Sequence, residues 1–80
     1  MITVRYFAGA RAAAGVAEET VPAVGTLPEL VAALTTRHGG QLGKVLTAAS
    51  FLVDGVAWRQ PEQPLPAGVT VDVLPPFAGG

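Results

Sequence analysis

Residues 69–80 have the sequence Val-Thr-Val-Asp-Val-Leu-Pro-Pro-Phe-Ala-Gly-Gly. The three valines alternate with polar residues, which predicts a strand with one buried face. The two prolines end that strand because proline has no backbone N–H to donate. The two final glycines have no Cβ, so this segment fits a narrow slot in another protein. The stretch therefore predicts a strand followed by an extended, flexible tail over residues 75–80.

Two more strands are predicted near the start of the chain. Residues 2–7 alternate between apolar and other side chains, which is the period of a strand. The small residues over 8–15 predict a loop or a short helix. Residues 16–21 can then pair back as a second strand, which ends before a proline.

One main helix is predicted to follow. Thr26 can cap its first turn, and Glu29 completes a capping box. His38 lies where the helix ends, and Gly39-Gly40 is a typical stop signal. Residues 42–49 predict a further short helical turn.

A hairpin is predicted around Asp54-Gly55, a pair that favours a type I′ turn. This register places Val53 opposite Val56 and Phe51 opposite Trp58, a cross-strand aromatic pair. The order is therefore strand, strand, helix, strands, with a last strand that can return beside the first. No repeat or linker divides residues 1–80, which predicts a single domain.

The composition excludes several classes of function. The net charge is −1 and the five basic residues are scattered, so a nucleic-acid partner is not expected. There is no cysteine and only one histidine, which excludes thiolate and His-His metal sites. No apolar run reaches about 18 residues, so a membrane partner is not expected. With no signal peptide predicted, we expect a cytoplasmic protein.

The element order resembles the β-grasp, or ubiquitin-like, fold. That fold is α+β, with a mixed sheet of four to five strands packed on one main helix. The similarity is greatest to the small sulfur-carrier subunit of molybdopterin synthase, and it runs over essentially the whole chain. The features that carry it are a first strand that runs into Tyr6-Phe7-Ala8 with Arg11 behind it, the helix over 26–37, Val53-Asp54-Gly55, Pro64-Leu65 followed by Gly68, and the ending Pro75-Pro76-Phe77-Ala78-Gly79-Gly80.

This resemblance implies a carrier that is not an enzyme on its own. An E1-like enzyme would use ATP to adenylate the Gly80 carboxylate, and a sulfur donor protein would convert it to a thiocarboxylate. The large synthase subunit, which would hold the catalytic residues, would then receive the tail. There, sulfur would pass to cyclic pyranopterin monophosphate in molybdenum cofactor biosynthesis. No metal or bound cofactor is expected on the chain, which lacks a phosphate-binding loop for ATP.

The tail and its root provide the predicted partner contacts. Phe77 is the expected aromatic anchor, preceded by Pro75 and Pro76, while Ala78 and Gly79 allow threading. By strand alternation, Phe7 and Leu74 face away from the helix. The first and last strands of a β-grasp sheet are neighbours, so the resemblance implies that these two residues lie close together, with Leu52 extending the patch. Arg11 is expected to pair with an acidic residue of a partner. Alternative interpretations are that Phe77 folds back onto the domain, that residues 8–15 cover the patch, and that Arg11 and Arg59 are solvated. His38 is expected to contact the last carbonyls of the helix.

Other functions remain open on the sequence alone. The same tail suits a sulfur carrier for thiamine thiazole or cysteine synthesis. It also suits a ubiquitin-like modifier joined through Gly80 to lysines of other proteins. A third class is an interaction domain whose terminus is inert.

Overall fold

The computed structural model describes residues 1–76. In chain order the elements are β1 (Ile2–Tyr6), α1 (Gly9–Ala14), β2 (Glu18–Val21), α2 (Leu27–His38), α3 (Gly40–Ala48), β3 (Ser50–Val53), β4 (Val56–Ala57) and β5 (Thr70–Leu74). No helix in this part of the chain has the length and apolar character needed to cross a membrane.

The five strands form one mixed sheet in the order β2-β1-β5-β3-β4. The first and last strands are parallel neighbours at its centre, and the other pairings are antiparallel. The last strand therefore returns beside the first, as the sequence predicts. This arrangement confirms an α+β, β-grasp fold with a mixed sheet.

The core lies between one face of the sheet and the helices. Alternate residues of β1 are buried, and with Val71 and Val73 of β5 they pack in one cluster with apolar residues of the three helices. The core residues of the two central strands and of α2 and α3 are Ile2, Val4, Tyr6, Val71, Val73, Leu27, Leu30, Leu34, Leu42 and Leu46. The opposite face of the sheet, which we call the outer face, carries the intervening residues.

The predicted signals at the ends of the main helix are confirmed, with one change of partner. The Thr26 hydroxyl accepts from the backbone N–H of Glu29 at 3.4 Å. The Glu29 carboxylate in turn accepts from the N–H of Gly25, one residue before the cap. The helix ends at His38, and Gly39 has a φ of +99°, a region that favours glycine.

The helical content differs from the prediction of one main helix and a short turn. α3 begins directly after Gly39 and runs for nine residues. Its two buried leucines, Leu42 and Leu46, lie four residues apart and both reach the core, which gives the second helix its own packing. The segment predicted as a loop or short helix contains α1, six residues long.

The hairpin has the predicted turn and register. Asp54 and Gly55 have φ values of +49° and +83°, as a type I′ turn requires. Val53 pairs with Val56, and the N–H of Trp58 donates to the carbonyl of Phe51 at 2.9 Å.

The second strand is shorter than the predicted 16–21. Gly15 ends α1 in the left-handed conformation, and Val16 follows as an exposed residue. The chain reaches β1 only at Ala17, whose carbonyl accepts from the N–H of Tyr6, and the strand begins at Glu18.

Candidate functional site

The root of the tail lies at the edge of the outer face where β1 and β5 end. The parallel register of these strands runs up to Tyr6 opposite Val73. One step further, the N–H of Phe7 donates to the carbonyl of Val73 at 3.3 Å. Phe7 and Leu74 therefore occupy neighbouring positions, and strand alternation turns both away from the core.

We call Phe7, Leu52, Leu74 and Pro75 the tail-root surface. The Phe7 residue is 39% exposed, and the other three are half-buried. Leu52 lies in β3 opposite Asp72, on the same face of the sheet. Phe7 itself is therefore not covered by residues 8–15, the alternative that the sequence left open for this patch. The role of this surface in partner binding stays a prediction.

An ion pair lies beside this surface in the middle of the sheet. Nε and Nη2 of Arg5 donate to the two carboxylate oxygens of Asp72 at 2.7 and 3.0 Å. The two residues are directly opposite in the parallel register of β1 and β5. Asp72 is the one buried charged residue of the described range, with 7% exposure. Its hydrogen bond and charge raise the pKa of Arg5 above its ordinary value.

The guanidinium of Arg5 also lies over the ring of Phe7. Its central carbon is 5.7 Å from the ring centroid, within the range of a cation–π contact. The pair thus connects β5 to an aromatic residue of the tail-root surface. Sequence reasoning missed this link, although the two residues carry opposite charges at outward positions of the two strands predicted to be neighbours.

The exposed arginines behave differently from Arg5. Arg11 is exposed on α1, which packs against α3, and Arg59 is exposed after β4. Within residues 1–76, no ion pair includes either one. The predicted contact of Arg11 with an acidic partner stays a prediction.

A second polar cluster lies at the edge of the sheet formed by β2. The carboxylate of Glu19 in β2 accepts a hydrogen bond from the Tyr6 hydroxyl at 2.5 Å, forms an ion pair with Arg37 Nε at 2.8 Å and contacts His38 Nε2. His38 ends the helix as predicted, but its ring nitrogen contacts this carboxylate. The expectation that it interacts with the last helix carbonyls missed this partner, since Glu19 is 19 residues away in sequence. The cluster joins β1 and β2 to the end of α2.

These contacts shift two pKa values in opposite directions. Burial raises the pKa of Tyr6, and its hydrogen bond to Glu19 raises it further. Burial also acts to raise the pKa of Glu19, but the hydrogen bonds from Tyr6 and His38 and the charge of Arg37 outweigh it. The pKa of Glu19 is therefore lowered.

Neither cluster has the side chains of a metal site. Across the described 76 residues, no three His, Cys, Asp or Glu side chains are grouped so that they could hold a metal ion. Four predicted site residues, Phe77, Ala78, Gly79 and Gly80, lie outside the described residues. Of the predicted tail lead-in, Pro75 is half-buried and Pro76 is exposed.

Comparison with known proteins gives one family. The model of the ThiS family matches residues 4–80. No curated protein matches the chain significantly.

Several solved structures share the fold. A Pyrococcus furiosus protein described as a candidate molybdopterin converting factor, subunit 1, is 27% identical, with a TM-score of 0.74 over 95% of this chain and 97% of that chain. Subunit 1 in a complex of subunits 1 and 2 of the molybdopterin-converting factor from Helicobacter pylori is 23% identical, with a TM-score of 0.72 over 99% and 97%. The small archaeal modifier protein 1 of Haloferax volcanii is 21% identical, with a TM-score of 0.75 over 95% and 97%.

Proposed function

The chain belongs to the ThiS family of small ubiquitin-like sulfur carriers, and on that premise we propose that it carries sulfur as a thiocarboxylate at Gly80 for molybdopterin synthesis. In this proposal the chain has no catalytic residue of its own and works in the cytoplasm. Its partners are an E1-like activating enzyme, a sulfur donor protein and the large subunit of molybdopterin synthase.

The observation that carries the proposal is the family match together with the position of the tail root. The match runs through Gly79-Gly80. The strand that leads to these glycines is at the centre of the sheet, and it ends beside the exposed ring of Phe7. A partner that takes the tail into a pocket can therefore rest on an apolar surface at the same place.

The proposed chemistry begins with activation of the carboxylate. A carboxylate oxygen of Gly80 attacks the α-phosphorus of ATP, which forms an acyl-adenylate and releases pyrophosphate. A persulfide or sulfide sulfur from the donor protein then attacks the acyl carbon, and AMP leaves. If the sulfur comes as a persulfide, a thiol reductant cleaves the S–S bond and frees the thiocarboxylate. Enclosure of that group in a partner's pocket limits its hydrolysis.

The branch of metabolism rests on the relatives. The Pyrococcus furiosus protein, which is 27% identical to this chain, is described as a candidate subunit of molybdopterin converting factor. The Helicobacter pylori structure pairs such a subunit with subunit 2. By analogy, we propose that the large subunit binds this chain and transfers its sulfur to a cyclic pyranopterin.

Intact-protein mass spectrometry tests the carrier function. The full chain is incubated with ATP, an E1-like enzyme and a sulfide source, and the enzyme's activity is verified on another carrier. We expect a gain of about 16 Da, the mass difference between sulfur and oxygen, located at Gly80. No mass change under these conditions would reject the carrier function.

A second experiment tests the branch. The loaded chain is added to the large subunit of molybdopterin synthase with cyclic pyranopterin, and in parallel to a thiazole-forming system. Molybdopterin formation with loss of the 16 Da supports the proposal. Sulfur transfer in the thiazole system alone would reassign the carrier to thiamine synthesis. Isopeptide-linked conjugates in cell extract would instead indicate a protein modifier.

A further inference from the structure

The Arg5–Asp72 ion pair is more than an internal link of the sheet. We propose that Arg5 is a specificity-determining contact of the protein that receives the tail, and that its unused N–H groups bind a neutral carbonyl oxygen on that protein. The inference rests on the proposed function, because it concerns the partner that takes up Gly80.

The guanidinium of Arg5 is held in place before any partner arrives. Two of its nitrogens are fixed by the two oxygens of Asp72, and its plane lies near the ring of Phe7. A side chain held in this way loses little further freedom on binding, so its contacts contribute more to affinity.

The same guanidinium keeps donors for a partner. It has five N–H groups, of which Asp72 uses one on Nε and one on Nη2. Among residues 1–76, no other side-chain hydrogen bond uses Arg5, and its side chain is 47% exposed. Three donors therefore remain for an acceptor on a partner, on a guanidinium that lies over the Phe7 ring. Arginine is one of the residues most often found as an energetic centre of interfaces.

The local charge indicates which acceptor fits. Arg5 is opposite Asp72 on one side and Glu18 on the other, and Glu18 is exposed. One cation thus lies between two carboxylates. A third carboxylate from a partner would be repelled by both, whereas a backbone or amide carbonyl would not. A neutral carbonyl oxygen is therefore the acceptor that this site selects.

The position of Arg5 identifies the occupant. Arg5 is two residues before Phe7 in β1, about 7 Å along the strand. Residues 75–80 span at most about 20 Å when extended. A protein that encloses Gly80 and rests on the tail-root surface is therefore within reach of Arg5, whose guanidinium lies over the ring of Phe7.

Binding of the full chain to the large subunit of molybdopterin synthase from the same genome tests the inference. The first variant combines Arg5→Met with Asp72→Val, which removes both charges together and leaves no buried carboxylate unpaired. The second is Arg5→Lys, which keeps a charge for Asp72 but loses the planar fork. Thr20→Ala, an exposed residue of β2 opposite Thr3 on the same face of the sheet, is the control. Titration calorimetry gives each Kd, and thermal melting checks each fold.

We expect both Arg5 variants to bind about tenfold more weakly, with the control unchanged. The loss for Arg5→Lys should be the same at about 0.05 and about 0.5 M salt, because the acceptor is neutral. A loss that shrinks with salt would overturn the neutral acceptor. Binding of both folded variants within about twofold of the parent chain would overturn the role of Arg5, and the proposed function would stand if the parent chain still loads sulfur. If the parent chain neither loads sulfur nor binds, the function and the inference both fail.

Discussion

The hydroxyl of Tyr6 donates to Oε2 of Glu19 at 2.5 Å and so joins the two neighbouring strands β1 and β2 from the core side of the sheet. Tyr6 is buried, with 2% exposure, and the Glu19 side chain is 12% exposed. Two further groups, from Arg37 and His38, reach the same carboxylate from the end of α2. One acidic group therefore holds a strand edge and a helix end together.

Replacement of this carboxylate should destabilise the fold. Glu19→Gln removes the charge that Arg37 pairs with and brings an amide N–H₂ toward three donors. We expect the free energy of unfolding to fall by about 1–3 kcal/mol in urea titrations. Glu18→Gln changes the adjacent, exposed carboxylate and should stay within about 0.5 kcal/mol. Equal stability of both variants would mean that the cluster contributes nothing.

The same cluster should make the fold sensitive to acid. The pKa of Glu19 is lowered in the folded state from its ordinary value of 4.5. Because the unfolded chain binds this proton more readily, the stabilisation is present above about pH 4.5 and is lost as pH falls through the folded pKa. Unfolding measured between about pH 6 and pH 3 should therefore show a steeper loss in the parent chain than in Glu19→Gln. Parallel curves would contradict this linkage.

The contact between α2 and α3 should tolerate no added methyl group at Gly43. A Cβ there would lie 2.9 Å from Cγ2 of Thr35, closer than real contacts allow. We expect Gly43→Ala to lower stability by about 1–3 kcal/mol despite the better helix propensity of alanine. Adding Thr35→Ser removes Cγ2 and should restore most of the loss. Gly40→Ala, where a Cβ meets nothing, is the control in the same helix.

The tail-root surface should lose partner affinity without loss of fold. Phe7→Ala removes an exposed ring that lies beside Leu74, so we expect weaker binding to the large synthase subunit by about tenfold. The matched control is Val56→Ala, an apolar residue 63% exposed on β4. Calorimetric titration gives the Kd of each variant for the large subunit, and only Phe7→Ala should raise it. An equal effect at the two positions would show that exposed apolar area, and not this surface, determines affinity.

Deletion of Gly80 should separate the chemistry from the fold. The core is built from residues 2–73, so the melting temperature should not change. We expect no gain of 16 Da in the loading reaction, because the terminal group that the family match aligns is gone. A deletion variant that still gains this mass would show that the sulfur is carried elsewhere.

Local patterns were enough to predict the elements that depend on local chemistry. The Asp54-Gly55 turn follows from the preference of these two residues for positive φ. Strand alternation places Phe7 and Leu74 on the outer face. The adjacency of the last and first strands came instead from the resemblance to the β-grasp fold, and the structure confirms it.

Contacts between distant residues were not predicted. Arg5 and Asp72 are 67 residues apart, and their pairing requires the parallel register of β1 and β5, not just their adjacency. Glu19 is a charged residue at an inward position of β2, two residues before the buried Val21. That mismatch in the alternation was the available signal for a buried polar partner. The length of α3 depends on its packing against α2, and no local sequence motif predicts that packing.

The parallel pairing of the first and last strands also determines when the sheet can fold during synthesis of the chain. A nascent chain lacks the middle of its sheet until β5 has been made, and contacts this distant in sequence slow folding. A product truncated before residue 70 would therefore lack both the central strand and the surface at its end. We expect such fragments to be degraded as unfolded chains, so that they do not accumulate beside the intact protein.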